Sequence, residues 1–251
     1  MTNKRVIFIT GGAGGIGLCT AKKFGAQGYA IALNDYRQEN GDKALQELRD
    51  LGIEAALFVG DVTKEASVNA LVAQVIAHFG RLDVLFNNAG GLGGRSSAEE
   101  MTLEFWDRVV DLNLTSAFFV TRACIPHLKK SGDAAVINVT SIAAYNGGGP
   151  GASAYAVAKA GVLALTRAHA KELIPFGIRV NAISPGTIDT PFHDETRKNN
   201  PALMEKWIQD IPAKRLGKPS EAADLVYFLA SDQSAYLVGE VIQLNGGQMM
   251  L

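Results

Sequence analysis

Cysteine is nearly missing from this chain: Cys19 and Cys124 are the only two in 251 residues, and neither has a second cysteine at metal or redox spacing. A disulfide framework and a thiolate metal site are thereby excluded as organising principles. Both cysteines fall in helix-like segments and are expected to pack there. An excess of either charge is missing too. With 24 Lys and Arg set against 25 Asp and Glu, the chain has no electrostatic footprint for nucleic acid or anionic lipid. No apolar run approaches the length of a membrane span. The stretch from Met1 to Arg5 leads straight into a strand-like segment, leaving no room for a signal peptide's apolar region. The expectation is a cytoplasmic protein with no membrane or nucleic-acid partner.

Several chemistries lack their residues. The four histidines, His78, His127, His169 and His193, are scattered and form no HExxH or similar spacing, so no catalytic metal is expected. No serine lies in a GxSxG turn, which removes the usual acyl-enzyme nucleophile. Glu99 and Glu100 precede a helix, where carboxylates favour the helix dipole rather than acid/base work.

What is present is a regular alternation. Hydrophobic residues make up 47% and charged residues 20% of the chain, the balance of a globular protein able to fold alone. Short runs rich in Val, Ile and Phe are expected as strands at Arg5–Thr10, Tyr29–Asn34, Ala55–Val59, Val84–Asn87, Ala134–Thr140, Arg179–Ser184 and Val241–Leu244. Helical patterns lie between them at Gly15–Gln27, Gly41–Leu51, Lys64–Phe79, Thr102–Lys130, Ser153–Ile174 and Pro219–Ala230. Near-continuous apolar strands joined by helices indicate βαβ units in a parallel sheet covered on both faces. The length permits one large α/β domain or two small ones. Because neither a linker nor an internal repeat interrupts the alternation, the reading is one doubly wound, seven-stranded Rossmann domain over residues 1–251. Two glycine clusters, Gly90–Gly94 and Gly147–Gly151, follow carboxyl ends of strands, where open α/β sheets bind ligands.

The first strand runs into Gly11, Gly12, Ala13, Gly14, Gly15, Ile16 and Gly17, and a helix follows, the context of a phosphate-binding turn. The glycines can be parsed as GxGxxG through Gly12, Gly14 and Gly17, or as GxxxGxG through Gly11, Gly15 and Gly17. Asp35 ends the second strand about twenty residues on, where a carboxylate accepts hydrogen bonds from an adenosine ribose and repels a 2′-phosphate. NAD is therefore expected over NADP, although Arg37 stands close enough to receive a phosphate.

Thr10-Gly11-x-x-x-Gly15-x-Gly17, Asp61-Val62, Asn87-Asn88-Ala89-Gly90, Asn113, Ser141, Tyr155-x-x-x-Lys159, Pro185-Gly186 and Asn245-Gly246-Gly247 together resemble the short-chain dehydrogenase/reductase family in its single-domain form. The resemblance covers nearly the whole chain. It implies the GxxxGxG parse, Asp61 and Val62 near adenine, and Asn88, Ala89 and Gly90 along the cofactor cleft. It also implies cofactor contacts at Pro185 and Gly186, Ile188 and Thr190 near nicotinamide, and a tetrad of Asn113, Ser141, Tyr155 and Lys159.

Tyr155 and Lys159 are four apart in a helical stretch, so they share one face about 6 Å apart along the axis. An ammonium beside the phenol is expected to lower its pKa from about 10 toward working pH, fitting it to exchange a proton with an alcohol or alkoxide. Ser141 ends the fifth strand, where its hydroxyl can orient a carbonyl. Asn113 is a poor mid-helix residue, and a local helix distortion is expected around it. The resemblance adds that Asn113 holds a water linking Lys159 to solvent.

The reaction expected is hydride transfer between NAD(H) and a small secondary alcohol or ketone. Substrate choice is assigned to a lid from Thr187 to Leu216 carrying Phe192, His193, Met204 and Trp207. Thr190-Pro191-Phe192-His193 resembles sugar or sugar-acid dehydrogenases of the family, while the general pattern also resembles 3-oxoacyl thioester reductases. A non-catalytic NAD-binding regulator is a further alternative, which the intact tetrad disfavours. A sugar-nucleotide epimerase or dehydratase would need a larger C-terminal substrate domain. Small and apolar residues on the two long helices, including Ala154, Ala156, Ala158, Ala160 and Ala164, and the ending Met249, Met250 and Leu251 point to a homotetramer by the same resemblance.

Overall fold

The structure, a computed structural model, describes residues 2–250. Met1, the first residue of the stretch expected to run straight into the first strand, and Leu251, the last of the apolar ending, lie outside the described residues. The chain begins with β1 (Val6–Ile9), every residue of which is buried. Alternation sends Val6 and Phe8 into one core and Ile7 and Ile9 into another, so the strand must be covered on both sides. The following elements supply the covers: α1 (Gly15–Ala26), β2 (Ala30–Asp35), α2 (Gln38–Asp50), β3 (Ala55–Val59), α3 (Glu65–Phe79) and β4 (Val84–Asn87).

The second half continues with α4 (Leu103–Val110), α5 (Ser116–Ser131), β5 (Ala134–Val139), α6 (Ala143–Asn146), α7 (Ser153–Leu173) and β6 (Ile178–Pro185). It closes with α8 (Asp194–Asn199), α9 (Pro201–Asp210), α10 (Pro219–Ala230) and β7 (Val241–Leu244). All seven strands are parallel, in the order β3-β2-β1-β4-β5-β6-β7. This is the expected doubly wound sheet, in a single domain. Phe79, Val120 and Leu128 from α3 and α5 pack one face, while Phe24 from α1 and Val226 and Leu229 from α10 pack the other. Each such side chain, fully buried, contributes roughly 1.5–3 kcal/mol of hydrophobic stabilisation.

Strand order reverses at β1, which pairs with β2 on one side and β4 on the other. The connections that follow β1 and β4 leave their strands in opposite directions there, opening a crevice at the carboxyl edge. No described helix is long and apolar enough to cross a membrane.

Most expected elements are present within a few residues of their expected limits. The helix expected over Thr102–Lys130 is corrected: α4 and α5 are separated by a π-helical turn at Asp111–Thr115. Asn113 sits in that turn, as the expected distortion required. Widening the turn frees a carbonyl from its regular partner, and the Asn113 amide donates to Val109 O at 2.9 Å in compensation.

Candidate active site

The crevice is one continuous cleft of about 1530 Å³ running from Asp35 to the region of Trp207. At its first end lies the glycine turn. Gly11 and Gly15 have φ of +59° and +51°, a region that side chains rarely adopt. A Cβ on Gly17 would stand 2.6 Å from Gly11 O, so Gly17 is small to let helix and turn close together. Gly14, by contrast, has extended backbone and open space where a Cβ would be. The three positions requiring glycine in these ways match GxxxGxG. In the other parse, Gly12 is also enforced, by the Leu33 side chain, but Gly14 is not. Ile16 lines the cleft in the first turn of α1, whose N-cap Gly14 has no side chain to occupy the free N–H groups. Those donors suit a pyrophosphate.

The turn is tied to β4 by Thr10 and Asn88. Thr10 Oγ1 accepts from the N–H groups of Asn88 and Ala89, each at 3.1 Å, and the Asn88 amide donates to Thr10 O and Gly11 O at 3.0 and 2.8 Å. Asn88 therefore braces the turn with its side chain, while it, Ala89 and Gly90 still line the cleft. Asp35 Oδ1 accepts from Arg37 N–H at 3.0 Å, and the Arg37 guanidinium lies 4.8 Å over the Tyr36 ring at the same end. Asp61 caps its own turn through Thr63 N–H at 2.8 Å, Val62 is buried, and both reach the cleft wall.

The catalytic candidates converge halfway along. Lys159, on α7, is 3% exposed and donates from Nζ to Val139 O at the end of β5, 2.9 Å away. A Cβ on Gly90 would lie 2.8 Å from Asn113 Oδ1 and 3.1 Å from Lys159 Nζ, which places these two groups against one strip of backbone. Asn113 is also clasped to Gly91, donating to its carbonyl at 2.8 Å and accepting from its N–H at 3.0 Å. Its side chain therefore anchors the first glycine cluster, a task the sequence did not disclose.

Tyr155 stands with Lys159 Nζ 5.7 Å from its ring centroid. The expected lowering of the phenol is not found. Burial pushes Tyr155 up to about 12, and Ser141 pulls it only part of the way back. Burial also pulls Lys159 down to about 8. For Tyr155 desolvation outweighs the Ser141 hydrogen bond, and the Lys159 ammonium is held by Val139 O rather than by the phenol. A phenol in this state keeps its proton at neutral pH and is poised to donate.

Past Tyr155 the chain leaves β6 through Pro185 and Gly186, and Gln248 clamps Thr187 by accepting from its N–H at 2.8 Å and donating to its hydroxyl at 3.1 Å. Ile188 is buried beside Gly217, and Thr190 overhangs Gly15. The segment Thr187–Leu216 then forms α8 and α9 over the cleft, with Met204 buried beneath. Ring-to-ring steps of 6.1, 4.9 and 5.9 Å link Tyr155, Phe192, His193 and Trp207. Sequence reasoning missed Gln248, Arg95, Arg108 and Asn146 among the cleft residues. The positions of Arg95 directly after the first glycine cluster and of Asn146 directly before the second offered a signal. No group of three or more potential metal ligands occurs among the described residues.

A doubly wound sheet with a phosphate-ready turn at its switch point and Tyr155, Lys159 and Ser141 in the same cleft defines a class, the nicotinamide-dependent oxidoreductases. Comparison with known proteins narrows it. The profile described as Enoyl-(Acyl carrier protein) reductase matches residues 11–249, and the chain belongs to the short-chain dehydrogenase/reductase family. A 3-oxoacyl-(acyl-carrier-protein) reductase FabG of Thermotoga maritima is 38% identical over 243 residues, covering 97% of each chain. The structure of an NADH-dependent reductase responsible for alginate metabolism is similar with a TM-score of 0.89 and 37% identity, covering 99% of this chain and 98% of the other. A single-substitution variant of actinorhodin polyketide ketoreductase with NADPH gives a TM-score of 0.93 at 31% identity, over 98% and 97%.

Proposed function

We propose that the chain is an NAD(H)-dependent oxidoreductase that interconverts a ketone and a secondary alcohol on a sugar or sugar acid. The observation that carries this is the placement of Tyr155, Lys159 and Ser141 in the same cleft as the open glycine turn. The turn and Asp35 fit a dinucleotide: free N–H groups at the start of α1 meet its pyrophosphate, and a carboxylate at the end of β2 accepts from its adenosine ribose. Bound there, the nicotinamide supplies or accepts the hydride.

The protein's part is proton transfer and positioning. The Ser141 hydroxyl orients the substrate carbonyl, and the Tyr155 phenol gives its proton to the developing alkoxide or takes one from the alcohol. Lys159 supports the phenol's charge change, and Asn113 holds the backbone wall beside Lys159. The lid Thr187–Leu216 closes the substrate side and excludes water. The free thiols of Cys19 and Cys124 accord with a cytoplasmic setting.

A second reading, reduction of a 3-oxoacyl thioester, is favoured by the Thermotoga maritima relative. The two are separated by following NADH consumption with ketoses, keto acids and an acetoacetyl thioester. In the same assay Tyr155→Phe is expected to lower kcat by at least about 100-fold while cofactor binding persists, since only the transferable proton is removed. Near-normal turnover would remove Tyr155 as the acid. Asp35→Ala is expected to narrow the preference for NADH. A wild-type protein more efficient with NADPH would transfer cofactor selection to Arg37.

A further inference from the structure

The cleft is lined by two arginines with little to do inside the subunit. Arg95 donates from Nη1 to Pro150 O at 2.6 Å, and Arg108 from Nη2 to Gly93 O at 3.3 Å. Each guanidinium is thus pinned to one of the two glycine clusters, and Arg108 is further placed by the Phe105 ring, 5.1 Å from its Cζ. Elsewhere Arg5, Arg81, Arg122, Arg197 and Arg215 pair with carboxylates. Among the described residues neither Arg95 nor Arg108 has such a partner. A guanidinium carries five N–H donors, and one is engaged at each site, leaving most of both forks available at the cleft wall.

The chemistry of the cleft wall is mixed in a selective way. Asp111, Asp210 and Asn146 also line the cleft and can accept hydrogen bonds from hydroxyls, while Phe192 and Trp207 offer apolar faces. A purely acyl substrate would leave these acceptors unpaired, and a neutral polyol would leave the two guanidinium forks without an anion. A polyhydroxylated acid satisfies both sets.

We propose that Arg95 and Arg108 form a carboxylate subsite, so that the substrate is a keto or hydroxy sugar acid held by its carboxylate while its carbonyl lies at Tyr155. This rests on the ketone–alcohol reading above and narrows it. Charge-assisted hydrogen bonds to a carboxylate give selectivity of about tenfold or more.

The test compares 2-keto-D-gluconate with D-fructose, and 5-keto-D-gluconate with L-sorbose, each pair differing only by a carboxylate against a hydroxymethyl group. The expected result is a kcat/KM at least about tenfold higher for the acid of a pair. That ratio should fall to within about threefold in Arg95→Gln and Arg108→Gln, and Arg95→Lys should restore part of it. A structural disturbance would lower both members together and leave the ratio unchanged. Equal efficiencies in the wild type, or an unchanged ratio in the variants, overturn the subsite while leaving the ketone reading intact. If none of the four is reduced but an acetoacetyl thioester is, the sugar reading fails, and calorimetry of the NAD-loaded protein decides the subsite. Binding of D-gluconate but not D-glucitol, lost in both glutamine variants, upholds it, whereas equal or absent binding overturns it.

Discussion

Lys159 and Tyr155 sit one helical turn apart, and burial moves their proton affinities away from each other, to about 8 and about 12. Below about pH 8 the pair is an ammonium beside a protonated phenol, the state that donates. As pH rises through about 8, Lys159 loses its proton and the phenol loses that support. The kcat for ketone reduction is therefore expected to be level at lower pH and to decline above about 8, and a pH–rate profile level beyond pH 9 would contradict the assignment. The residue pattern that gives this chemistry was readable because a helical spacing of four dictates a shared face. The raised phenol was not readable, because desolvation depends on what covers the side chain. Arg95 was legible only by its place after the first glycine cluster, because its carbonyl comes from Pro150, 55 residues on, and Arg108 on α4 was not legible, because the chain must fold back before it reaches Gly93.

At the scale of elements, the strands were legible because burial on both faces demands continuous apolar runs, as in β1. The break between α4 and α5 was legible only as an expected distortion at Asn113, since the widened turn depends on Gly91 being there to clasp. The glycine turn left two parses open in the sequence, and packing distinguishes them. Gly17→Ala is expected to push its Cβ against Gly11 O, which is backbone and cannot yield. It should cost about 1–3 kcal/mol of stability and weaken NADH binding at least about tenfold. Gly14→Ala meets nothing within 4 Å and should change stability by less than about 0.5 kcal/mol. Thermal unfolding and an NADH titration of the two variants check the contrast, and equal destabilisation would reverse the parse.

For the whole molecule, a homotetramer is the proposed assembly, and the subunit shows which faces are left for it. Ala154, Ala156 and Ala158 pack within the subunit, so they are not available, whereas Val157 on α7, Phe118 on α5 and Leu103 on α4 are 51%, 37% and 73% exposed. Met250 is 82% exposed at the end of the described chain. Covering these residues would remove apolar surface from water. Light scattering should report about four times the 26.6 kDa chain mass, and a mass near that of one chain would end the proposal. Trp207, half-buried in the lid, has a further consequence. Trp106 on α4 is the only other tryptophan, so Trp207→Phe leaves a single indole. The difference in emission between the two proteins isolates light from the lid itself. Because a reduced nicotinamide absorbs where indole emits, that difference makes the lid an optical gauge of its own distance from the cofactor.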